Sequence, residues 1–173
     1  MPATPAELFA LLDHLRIAHA TVTHPPLFTV ADSQSLRGTI SGGHTKNLFL
    51  KDKADALWLV VADEDAVIDL KTLHQRIGSK RLSFGSAELL GEVLGIPPGS
   101  VTPFAAINDT AGRVTVILDQ AIMDHETLNF HPLINTMTTS IRRDDLPAFL
   151  SATNHPPRVL AVSARPAPSP GSD

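Results

Sequence analysis

The run Ala56-Leu57-Trp58-Leu59-Val60-Val61 is apolar at every position, so a strand built from it has no face to give to water. Such a strand belongs in the centre of a sheet with further layers packed above and below it. The rest of the chain can supply those layers: 43% of its 173 residues are hydrophobic and only 18% are charged, a balance that excludes disorder over most of the length. The length predicts one domain.

Elements on both sides of this strand read from capping and periodicity. Thr4-Pro5-Ala6-Glu7 is a capping box opening a helix whose Leu8, Leu11, Leu12 and Leu15 form one stripe. Ala20 to His24 alternates as a short strand and stops at Pro25-Pro26. A brief helix is predicted from Thr29 to Leu36, then the glycine-punctuated loop from Arg37 to Gly43. Leu48 to Lys51 pairs with the apolar run across the turn Asp52-Lys53-Ala54-Asp55. Asp69 and Ser86 cap two further helices, which Gly78 and Gly95 end, and Lys80 to Phe84 between them is a short strand.

Beyond Gly95-Ile96-Pro97-Pro98-Gly99, the pattern predicts a strand from Val101 to Ile107, a turn at Asn108 to Gly112 and a strand from Val114 to Leu118, together a hairpin. Thr136 to Ile141 is a strand, Asp144 or Asp145 caps a last helix through Leu150, and Arg158 to Val162 is a final strand. The sum is an α/β (α+β) fold: a mixed, largely antiparallel sheet of about seven strands, curled or closed into a barrel, with surrounding helices. Residues 1–163 form the domain, and the Pro-rich residues 164–173 are expected to be a disordered tail.

Composition narrows the chemistry. With no cysteine, disulfides, thiolate nucleophiles and sulfur-ligated metals are excluded. The eight histidines are scattered, with no HExxH spacing and no three-histidine cluster, so no metal site is assigned. GxSxG, GxxxxGK[ST] and GxGxxG are all absent. No apolar run is long enough to cross a bilayer and the N-terminus lacks signal-peptide features, so a cytoplasmic address is expected, with no membrane partner. A net charge of -4 means that any nucleic acid must be met by a local patch, and DNA is not expected as a partner.

Four features remain. Lys46 follows a glycine-rich loop and opens an apolar strand, either as the rim of a pocket or as a strand-end lysine in water. The loop Gly99-Ser100-Val101-Thr102-Pro103 lets backbone approach a ligand, and equally serves as a turn. His131-Pro132 sets an imidazole in rigid surroundings, and Lys80-Arg81 is either a phosphate contact or a solvated pair of charges.

Taken together, Thr45-Lys46-Asn47-Leu48-Phe49-Leu50, the stretch Gly95 to Phe104, and Asn129-Phe130-His131-Pro132-Leu133-Ile134-Asn135 with Thr138-Thr139 resemble the YbaK-like aminoacyl-tRNA editing domains, most of all their free-standing ProX type. The resemblance spans residues 4–163. It implies a cofactor-free hydrolase that removes alanine mischarged onto tRNA(Pro), with cysteinyl- and seryl-tRNA as alternative substrates and a non-catalytic tRNA- or synthetase-binding module as another reading. Lys46, Gly99 and His131 fall on the family's catalytic positions. Val22, Phe28, Asn47, Ile96, Ser100, Pro103 and Asn135 are then expected around the amino acid, and Lys46, Lys80 and Arg81 on the tRNA acceptor end. Transient contact with prolyl-tRNA synthetase or an elongation factor is also implied.

Overall fold

The computed structural model describes residues 2–26 and 40–163, so the predicted helix at Thr29, Phe28 and the tail all lie outside the described residues. In chain order the elements are α1 (Pro5–His14), β1 (His19–Thr23), β2 (Gly43–Asp52), β3 (Leu57–Asp63), α2 (Leu70–Ile77), β4 (Leu82–Phe84) and α3 (Ala87–Leu94). There follow β5 (Val114–Asp119), β6 (Thr127–Phe130), β7 (Met137–Arg142), α4 (Asp145–Ala152) and β8 (Arg158–Leu160). The strands run in the order β1-β7-β6-β2-β3-β5-β8, with β4 attached separately to β2. β1/β7, β6/β7, β2/β3 and β2/β4 pair antiparallel, while β2/β6, β3/β5 and β5/β8 pair parallel. The sheet is mixed, and it does not close into a barrel: β1 and β8 remain its two ends.

The apolar run is β3, in which every residue from Leu57 to Ala62 is buried. Successive side chains alternate between two cores. Leu57, Leu59 and Val61 join the larger one with Leu8 and Leu12 of α1, Leu90 and Leu94 of α3, and Phe149 and Leu150 of α4. Trp58 and Val60 join the smaller one with Leu73 and Ile77 of α2. Among the described residues no helix is long and apolar enough to cross a membrane.

The helix signals correspond to observed bonds. Thr4 accepts from Glu7 N, and the Glu7 side chain returns to Thr4 N. Asp69 and Ser86 cap α2 and α3, and Gly78 and Gly95 end them in the left-handed region. Asp144 occupies the start of α4 without a capping bond, its carboxylate meeting Arg143 Nε at 3.4 Å instead.

The expected hairpin is replaced by something else. Pro103–Asn108 is a 3-10 helix where a strand from Val101 to Ile107 is expected, because Pro103 cannot donate to a ladder and the Thr102 hydroxyl accepts from Phe104 N, winding the chain; Pro98–Ser100, in the loop before it, is another 3-10 turn. β5 therefore has no preceding partner and lies between β3 and β8. Behind it Asp109, 3% exposed, accepts from Arg113 N, Val114 N and His155 Nε2 at 3.0, 2.9 and 2.8 Å. His155 Nδ1 donates to the Thr153 carbonyl at 2.6 Å, so this buried pair ties the end of α4 to the start of β5.

Candidate functional site

β2 is the strand on which the candidate residues meet. Its inner edge is paired with β3 from Thr45 to Lys51. Its outer edge is shared: β6 covers Gly43 and His44, and β4 covers Leu50 to Asp52. Between them the sheet is split. The Phe49 carbonyl accepts from Gly85 N at 3.0 Å, so Phe49 points its backbone groups outward. Strand alternation then turns the N–H and C=O of Asn47 the same way, into the split.

The two faces of β2 carry different chemistry at this split. Lys46 shares the face of Leu48 and Leu50, half-buried, and its Nζ donates to the Ala66 carbonyl oxygen. The parallel pair His44↔Asn129 places Lys46 and His131 each two residues further along neighbouring strands. Asn129, Thr138 and Ser140 point to this same face, since Leu128, Phe130 and Ile141 alternate with them into the larger core. Asn129 Nδ2 donates to the Ser41 and Gly43 carbonyls at 3.1 and 3.2 Å, and its Oδ1 accepts from Ser140 Oγ.

His131 stands beside His24, ring centroids 6.2 Å apart. Its Nδ1 faces the Met137 carbonyl at 2.9 Å, which can only accept, so Nδ1 carries the proton and the neutral ring keeps a lone pair on Nε2. His24 Nδ1 donates to the Pro25 carbonyl at 2.8 Å, and its Nε2 bonds Thr138 Oγ1 at 2.8 Å. Burial pushes the His131 imidazole below the ordinary histidine value; the Met137 bond opposes this, and the His24 ring adds to it. Above about pH 6.5, the unperturbed value, folded and unfolded chains alike leave this ring neutral. As the pH falls from there toward the lowered folded value, the unfolded chain takes up the proton first and stability declines. Urea unfolding across this interval is expected to show that decline, and His131→Gln to flatten it; an unchanged slope would count against the ring as its source.

On the other face Asn47 and Phe49 look onto a cleft of about 280 Å³, bounded by Phe84 and Gly85, by Ala87 and Leu90 of α3, and by Pro98 and Val101. The Asn47 Oδ1 atom is buried with no hydrogen-bond partner. Gly99 sits at the rim, where a Cβ would come within 3.3 Å of Asn135 Nδ2. Asn135 is brought there by the loop from His131 to Thr136, in which Leu133 adopts φ 70, an uncommon state for leucine. The edge-to-face contact of Phe104 with Phe130 at 5.6 Å fixes the two loops relative to each other.

The structure thus gathers Lys46, Asn47, Gly99, His131 and Asn135 around the split in β2. Ser100 and Pro103 are buried supports of the loop, and Ile96, 3% exposed, belongs to the larger core. Val22 is 44% exposed on β1, opposite Thr138. Lys80 and Arg81 lie at the far end of β2, where Lys80 N donates to Asp52 Oδ2 and the Arg81 carbonyl accepts from Lys53 N. His24 and Ser140 were not singled out from sequence; the signal available was polar residues on β7, an interior strand. Among the described residues, no group of three or more His, Asp or Glu side chains could hold a metal ion.

Residues 24–149 match the aminoacyl-tRNA editing domain. The chain belongs to that family, a class of enzyme that removes an amino acid wrongly attached to tRNA. The prolyl-tRNA editing protein ProX of Acetoanaerobium sticklandii is 35% identical over 149 residues, covering 86% of this chain and 91% of that protein. Prolyl-tRNA synthetase associated domain-containing protein 1 of Danio rerio is 37% identical over 157 residues, covering 90% and 85%. Within the family the chain is of the ProX type. A crystal structure of a candidate trans-editing enzyme for prolyl-tRNA synthetase shares the fold, with a TM-score of 0.70 over 95% of this chain and all of that one at 15% identity.

Proposed function

We propose that the protein hydrolyses alanine from tRNA(Pro) and spares proline, acting as a free-standing editing factor on the acceptor end. The observation that carries this reading is the buried, unpartnered Asn47 Oδ1 at the split in β2. Leaving such an oxygen without a donor costs about 1–3 kcal/mol, and the α-ammonium of an aminoacyl ester supplies one. The cleft is small for a ligand site, which suits a compact side chain.

The chemistry asks little of the side chains, because an aminoacyl ester is already activated. Water adds to the ester carbonyl carbon, the bond to the ribose oxygen breaks, that oxygen takes one of the water's protons, and the amino acid leaves as its carboxylate with the other proton passing to solvent. A neighbouring ribose hydroxyl positions the water, and backbone N–H groups at Gly99 stabilise the tetrahedral oxyanion. Lys46 binds the terminal phosphate or ribose as a protonated donor, since an ammonium has no lone pair to act as a base. His131 holds the adenosine side in register. The step needs no cofactor, so hydrolysis is expected to survive EDTA.

A second, smaller pocket answers a physical problem, since a missing methylene is worth only about 1–3 kcal/mol of discrimination in a synthetase. Deacylation of alanyl-, prolyl-, cysteinyl- and seryl-tRNA(Pro) by the purified protein tests this. Loss of alanine with proline retained is the expected result. Preferential loss of cysteine or serine would move the specificity, and retention of all four would overturn the reading in favour of a binding module.

A further inference from the structure

We propose that Phe84 is a stacking platform for an unpaired nucleobase of the acceptor end, flanked by Lys80 and Arg81 as contacts for the adjoining phosphates; this rests on the deacylase reading. Phe84 is 62% exposed, an aromatic ring left largely in water beside a cleft. It closes β4, a strand of three residues that pairs with β2 alone, so nothing in the sheet lies beyond it.

The ring is not an isolated surface residue. The cleft it borders is floored by Phe49, 4% exposed, whose ring packs so closely on Gly85 that a Cβ there would lie 2.4 Å from it. Phe84 is in register with Leu50 and so lies on the face of Lys46, three residues along β2 from Asn47, a span of about 10 Å across the split edge. An amino acid held at Asn47 and a base laid on Phe84 are therefore separated by the reach of a nucleoside or two. Both residues border the cleft beside the split edge of β2.

Charge selects the occupant. Lys80 and Arg81 are exposed at the entry to β4, and among the described residues neither forms an ion pair. Their backbone is pinned by Asp52 Oδ2 on Lys80 N at 3.3 Å and by Lys53 N on the Arg81 carbonyl at 3.1 Å, so the two cations rise from a fixed point. An exposed aromatic ring beside fixed cations is the pattern that binds single-stranded nucleic acid, the ring by stacking and the cations by phosphate contact. On a chain with a net charge of -4, such a local patch is what can hold a polyanion. An apolar protein partner would leave both cations without a counter-charge.

The test uses Phe84→Ala and Phe84→Trp in the full chain. Phe84→Ala is expected to raise KM for alanyl-tRNA about tenfold with kcat near wild type, and Phe84→Trp to keep the wild-type KM. The new indole also serves as a reporter, because the one natural tryptophan, Trp58, is 9% exposed. Emission from Phe84→Trp should be quenched by the trinucleotide CCA, while wild-type emission stays constant. An unchanged KM in Phe84→Ala, or no quenching by CCA, overturns the platform. Quenching by CCA in a protein that deacylates none of the four aminoacyl-tRNAs would leave the platform standing and remove the deacylase reading instead.

Discussion

Lys46→Ala is expected to lower kcat/KM for aminoacyl-tRNA by about 100-fold, the scale of a lost charged hydrogen bond at a reacting centre. Lys46 is half-buried on β2, and its ammonium donates to the Ala66 carbonyl just past β3. One of its three donors is spent on that carbonyl, leaving the others for a ribose or phosphate oxygen. Because its fold contacts are few, the melting temperature should move by no more than a degree or two. Lys46→Arg keeps the charge but replaces a compact ammonium with a planar fork, so partial recovery is expected. Single-turnover deacylation with a parallel thermal melt checks this, and activity within threefold of wild type would remove Lys46 from the site.

His155→Ala is expected to be the most damaging single change to stability, lowering the unfolding free energy by about 3–5 kcal/mol. Both partners of the ring, the Thr153 carbonyl and Asp109 Oδ2, are acceptors. Alanine leaves both short of a donor where water does not reach, and opens a hole between α4 and the start of β5. At this chain length the loss corresponds to a melting temperature lower by roughly 10 °C. Urea denaturation measures it directly; a change below 1 kcal/mol would mean that the region relaxes around the gap.

Most of the fold was legible because its signals are local. The apolar run marked β3, and the caps at Thr4, Asp69 and Ser86 marked three helices, since a hydroxyl or carboxylate beside orphan N–H groups acts within one turn. Where the reading failed, the deciding contacts were distant. Val101 to Ile107 alternates like a strand, yet Phe104 winds into the larger core against Phe130 and Phe149. The segment of β6 carries no assigned element in the sequence, because its reason to extend is pairing with β2 and β7.

The site divides the same way. Lys46, Gly99 and His131 stand in motifs that can be read by eye, whereas their grouping depends on β2 being shared by β6 and β4. The polar partners His24 and Thr138 are 114 residues apart, a separation that periodicity cannot bridge. Lys46 and Asn47 are neighbours in sequence that project to opposite faces, and only the opening at the strand edge lets one ligand reach both.

That opening also bears on edge-to-edge association. Unpaired backbone along a strand edge is a template for other chains, and it is the usual starting point of edge-to-edge association. Here the stretch between the two partners is short, Thr45 to Phe49, walled by β6 on one side and β4 on the other. A strand of ordinary length, about five or six residues, would run into one wall or the other. The gap in β2 can therefore keep a length of main chain open to a small ligand without itself being a place where a neighbouring copy could add a strand.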